Sequence, residues 1–118
     1  MTPRERLENP DLFGKTPKAI WSPVSSSDPV QVAAFGAAYM QHMFACQVAE
    51  ALREEGGNAM WLAEQTGLNH RHLSHVLRGR QVVTLATMIA ITLALDRVEL
   101  FPAPASLADM IPWITSPS

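Results

Sequence analysis

Residues 69–80 concentrate side chains suited to phosphates and base edges: Asn69, His70, Arg71, His72, Ser74, His75, Arg78 and Arg80. Residues 65–80 contain no acid to offset the three arginines. A guanidinium is permanently charged, and its planar fork matches paired acceptors, which makes Arg71 the best candidate for a bidentate contact. His72 and His75 stand one helical turn apart, as two metal ligands would. Without a neighbouring cysteine, aspartate or glutamate they make a poor tetrahedral site, so neither metal nor cofactor is expected. Paired carboxylates, a glycine-rich phosphate loop and a Ser/His/Asp order are all missing, and Glu54-Glu55 reads as a charged helix end. The chain is therefore not expected to be an enzyme.

Two short helices position this cluster. Asn58 is placed to cap Ala59–Thr66 and Asn69 to cap His70–Leu77, with Gly67-Leu68-Asn69 as the corner between them. A steep crossing through a three-residue turn makes steric demands, and the sequence meets each in order. Ala63 is small at the crossing, and Gly67 tolerates positive φ. Leu62, Leu68, Leu73, Val76 and Leu77 supply a shared apolar side. His70, Arg71, Ser74, His75 and Arg78, at i, i+1, i+4, i+5 and i+8, are left on one wet face. The motif spans residues 58–79.

The nine prolines flank a proline-free stretch, residues 30–101, where helices belong. A long helix is expected from the Asp28 cap and Pro29 to about Glu55, ending at Gly56-Gly57. Its second half shows a helical apolar face: Phe44, Val48, Ala51 and Leu52. Its first half is apolar nearly all round, which calls for a second packing partner, either the amino-terminal segment or another subunit. Phe35, Tyr39, Met40 and Met43 are the candidate dimer surface. A last helix is expected over residues 85–95, capped by Thr84, with Leu85, Met88, Ile89, Thr92, Leu93 and Leu95 facing inward. Ser106-Leu107-Ala108-Asp109 resembles a capping box opening about one further turn before Pro112. No segment alternates long enough for a strand. The fold class is all-α.

With 118 residues there is room for one domain: an irregular proline-rich arm at 1–27, a helical body at 28–102 and a tail at 103–118. The single cysteine, Cys46, lies among apolar neighbours and reads as a buried, inert thiol. Residues 30–49 carry no formal charge, but Gln31, Gln41, His42 and Gln47 interrupt them, so no membrane span is expected. The amino terminus lacks an apolar signal core, which points to the cytoplasm of a bacterial or phage-encoded system. Net charge is −2, so any anion-binding surface must be local.

The residues from about Phe44 to Phe101 resemble the lambda repressor/Cro-type helix-turn-helix family, also called the XRE family. The matching features are Leu62-Ala63, Gly67-Leu68, Leu73-Ser74, Val76 and Arg78-Gly79. The helix at 85–95 followed by Val98-Glu99-Leu100-Phe101 resembles the family's closing helix and its Leu-Phe lock. The chain departs from the family at Ala59, where glutamine is frequent, at Leu77, where glutamate is common, and at Asp96, where glycine is usual. The resemblance implies a lambda-repressor-like domain of four to five helices, with an extended first helix. It also implies double-stranded DNA, read in the major groove at a palindromic site by a homodimeric transcriptional repressor. His70, Arg71 and His75 fall where the family reads bases, while Asn69, Ser74, Arg78 and Arg80 fall near the DNA backbone. Imidazoles beside phosphates would favour their charged form, so affinity should tighten as pH falls from about 8 to 6. Two alternatives remain open on the same fold. One is a protein-interaction module, such as an antitoxin or a partner of the transcription machinery; the other is an architectural factor that bends DNA.

Overall fold

The computed structural model describes residues 1–100 and 104–116. Four α-helices dominate: α1 (Pro29–Glu55), α2 (Ala59–Thr66), α3 (His70–Leu77) and α4 (Leu85–Leu95). Each begins at the cap expected from its sequence. Asp28 Oδ1 accepts from the Gln31 amide, Asn58 Oδ1 from Trp61, Asn69 Oδ1 from Arg71 and His72, and Thr84 Oγ1 from Thr87. α1 and α2 end on left-handed glycines, Gly56 and Gly67. α4 ends on Asp96, which alone among described non-glycine residues has positive φ, at 53°. The position thus needs the geometry glycine gives freely, and aspartate is one of the few side chains that tolerate it.

α1 is a spine shared by two cores. Its second half, through Phe44, Val48, Ala51 and Leu52, packs on Leu62, Ala63, Leu73, Ile91, Leu95 and Leu100 from the three later helices and the turn after them. Its first half meets the amino-terminal segment, where Leu7, Phe13, Trp21 and Val24 enclose Phe35, Ala38 and Tyr39. Trp21 sits edge-on to Phe35 and His42 and tilted on Tyr39. The expected second partner of the charge-free half of α1 is therefore this segment. Phe35 and Tyr39 are consequently not a dimer surface: they are 0% and 5% exposed, inside the chain's own core. Burial, and then Asp109, pushes the Tyr39 phenol above its usual pKa. Met40 and Met43 are only half-buried.

Residues 1–27 are irregular, as expected, yet closely fitted. Short 3-10 turns at Pro3–Arg6 and Pro10–Leu12 each start on a proline, where its fixed φ suits the first turn. An antiparallel bridge joins Leu7 to Trp21 and closes the loop between them. Beyond it, β1 (Val24–Ser25) pairs in parallel with β2 (Ile114–Thr115), so the tail returns to the amino-terminal segment. Two-residue strands are too short to leave an alternating pattern, and none was expected. The tail's turn is also longer than the single one expected, running as 3-10 helix over Pro104–Trp113 with Met110 buried in the second core. Phe101, the second half of the expected Leu-Phe lock, lies outside the described residues, as does the expected boundary at 102.

The packing of α4 differs from expectation. Thr92 and Leu95 are buried as expected, but so are Thr87 and Ile91, whereas Leu85, Ile89 and Leu93 are 63%, 42% and 73% exposed. The helix is apolar on every side, so periodicity cannot select its inner face. Threonine goes inside because its hydroxyl can be satisfied locally: Thr92 Oγ1 donates to Met88 O at 2.8 Å, and Thr87 Oγ1 accepts from Thr84 Oγ1 at 3.0 Å. No described helix is long and apolar enough to cross a membrane.

Candidate nucleic-acid interface

α3 is fixed from behind and open in front. Leu73 and Val76 are fully buried, Leu68 and Leu77 pack partly, and Leu62 and Ala63 of α2 complete the joint. Gly67 turns the corner at φ 74°, with nothing within 4 Å of where a Cβ would stand, so its backbone conformation alone demands glycine.

The far end of α3 is held by one buried side chain. Gln41 of α1 donates from Nε2 to Val76 O and Gln81 O, both at 2.8 Å, and accepts from the Val83 amide on Oε1 at 2.9 Å. A buried amide with all these bonds made is strongly orienting, since any displacement leaves several polar groups unpaired. Its neighbour His42 is also buried. His42 Nδ1 accepts from the Gly14 amide at 3.0 Å, and Nε2 donates to Thr16 O at 2.7 Å. This pattern requires the neutral ring, and burial lowers the His42 pKa, partly opposed by the bond to Thr16. Cys46 lies against the same ring, and burial pushes its thiol up to about 11, which leaves it unreactive at neutral pH.

The front face carries most of the residues proposed from the sequence. His70, Arg71, Arg78 and Arg80 are exposed, with Ser74 and His75 half-buried beside them. None of these arginines forms an ion pair among the described residues; the pairs there join Arg4 to Asp11 and Arg97 to Glu54 and Glu55. A shallow recess of about 320 Å³ runs across Asn69, Arg71, His72, His75 and Gln81. His72 Nδ1 donates to Gln81 Oε1 at 2.9 Å, which props the loop after α3. Asn69 has a narrower role than expected. Its side chain already accepts the Arg71 and His72 amides, so those N–H groups are not offered to a phosphate.

Several residues of the site were not singled out in the sequence. Gln41 and His42 stood there only as polar breaks in an apolar run. Two adjacent polar residues on an otherwise apolar helix are themselves a signal, because buried polar groups must find partners. Arg4 and Lys15 are brought beside Arg78 and Arg80 by the folded amino-terminal segment. That approach depends on tertiary contacts at Gly14 and Gly79, which leave no local pattern. No family model, curated protein or solved structure matches the chain.

Proposed function

We propose that this chain is a lambda repressor/Cro-type helix-turn-helix protein of the XRE family. In this reading it binds double-stranded DNA by inserting α3 in the major groove and represses transcription as a dimer on a palindromic site. One observation carries the reading. The helix with Arg71 is locked on its inner side by Leu73, Val76 and Gln41, while its outer side remains open, cationic and free of carboxylates. Rigid backing and an uncovered donor-rich face are what reading base edges requires, because each bidentate contact depends on the angle of the helix. Arg71 and His75 take the base edges from the recess beside Gln81, with His70 at the helix start. Ser74, Arg78 and Arg80 take the backbone. Asn69 contributes chiefly by fixing the first turn of α3. With Phe35 and Tyr39 internal, the second copy docks on some other surface.

Selection of bound sequences from a random duplex pool, followed by two substitutions, tests the reading. Arg71→Ala should cost about 1–3 kcal/mol at one base position and relax preference there, whereas Arg80→Ala should weaken all sequences alike. Selected sites should be palindromic, and sedimentation of the complex should give two chains per site. An unselected pool, with weak and salt-insensitive binding, would sink the reading in favour of the protein-interaction module that the net charge of −2 also suits.

A further inference from the structure

A cavity of about 270 Å³ lies where the amino-terminal segment meets the end of α3, lined by Arg4, Asp11, Phe13, Lys15, Arg78 and Arg80. Main-chain contacts build it. The Arg4 amide donates to Gly79 O at 3.0 Å. A Cβ on Gly14 would stand 2.6 Å from Leu77 O, and one on Gly79 would stand 2.7 Å from the Phe13 ring. The two walls are pinned by consecutive residues of α1: His42 holds Gly14 and Thr16, and Gln41 holds Val76 and Gln81. The spacing of the charged stems is thus set by buried groups, with only the ends of the side chains free to adjust.

The charge in this cavity is one-sided. Four cations face a single carboxylate, and Asp11 is already taken by Arg4 at 2.8 Å. Lys15, Arg78 and Arg80 have no acidic partner among the described residues, in a chain whose net charge is −2. Like charges held together on a rigid frame repel until an anion enters. Two guanidinium forks and an ammonium match the several oxygens of a phosphate group better than a single carboxylate.

We infer that this cavity is a phosphate-binding site, in which Lys15 and Arg4 of the amino-terminal segment act together with Arg78 and Arg80. The inference rests on the DNA reading for its source of phosphate, a backbone diester flanking the groove that α3 enters. A free phosphate or pyrophosphate shares the chemistry and is the other source.

The full chain and its Lys15→Gln variant, with Lys18→Gln as an exposed lysine outside the cavity, separate the sources. Duplex affinity is followed from 50 to 200 mM salt, and inorganic pyrophosphate is titrated while amide resonances are recorded. Lys15→Gln should weaken every duplex by a similar factor and lower the salt slope by about 0.9, the release of one counterion, while Lys18→Gln changes neither. Pyrophosphate should shift the amides of residues 14–16 and 79–81 in the parent chain, and several-fold more should be needed in Lys15→Gln. A lowered salt slope without pyrophosphate binding supports the diester source alone. Pyrophosphate binding that depends on Lys15, with an unchanged salt slope, supports the free anion. Equal salt slopes and equal pyrophosphate responses in parent and variant overturn the site. If the parent chain binds no duplex, the DNA reading fails, and the pyrophosphate titration alone decides the cavity: loss in Lys15→Gln keeps it, and no saturable binding removes it.

Discussion

Gly67 and Gly79 bracket α3 with nearly identical backbone angles, φ 74° and 73°, yet they are glycine for different reasons. At Gly67 the space is empty, so alanine there pays only for the left-handed conformation, roughly 1–2 kcal/mol. At Gly79 the same angle is combined with the Phe13 ring 2.7 Å from the Cβ position, and Phe13 is buried in the second core. Overpacking of that kind adds about 1–3 kcal/mol. Urea unfolding should therefore find Gly79→Ala clearly more destabilised than Gly67→Ala; equal losses would mean that the segment around Phe13 is not seated on α3. The turn at Gly67 was legible in the sequence because its requirement is local. The requirement at Gly79 comes from a residue 66 positions away, and no spacing rule reports it. Gln41 and His42 show the same limit. Their polarity was visible, but their partners are carbonyls and amides, which every residue possesses.

At the scale of the element, legibility followed the number of independent signals. Four capping residues, two glycine stops and the proline-free interval agreed on the boundaries of α1 to α4, and the observed helices begin at those caps. For α3 the polar and apolar sides also differ sharply, so the face was readable as well as the extent. α4 offered extent with only part of its face. Its residues LATMIAITLAL are apolar all round; Thr92 and Leu95 face inward as expected, but Thr87 and Ile91 are buried in place of Leu85, Ile89 and Leu93. Alanine substitution along α4 checks the observed face. Ile91→Ala removes a side chain with no exposure and should cost about 2–5 kcal/mol. Leu93→Ala, at 73% exposure, should stay within about 0.5 kcal/mol. A reversed order of the two losses would mean that the helix is turned about its axis or that Leu93 is covered in solution.

Across the whole molecule, α1 joins the core of the later helices to the core made with the amino-terminal segment, and His42 lies where that segment reaches α3. Its ring contacts Phe13 and Trp21 edge-on, accepts from Gly14 and donates to Thr16. Protonation would convert Nδ1 from acceptor to donor against the Gly14 N–H, in a site that already disfavours charge by burial. The folded pKa therefore lies below the ordinary 6.5, and the unfolded chain binds the proton first. Stability from this group is complete above about pH 6.5 and is lost as pH falls from there through the folded value. Thermal unfolding followed from pH 8 downward should show a midpoint that falls on acidification. His42→Gln should begin from a lower midpoint and lack that part of the fall. An unchanged pH dependence in the variant would assign the loss to other groups. On the proposed DNA reading, a loss of duplex binding in acid that tracks the unfolding midpoint and is absent in His42→Gln belongs to the fold.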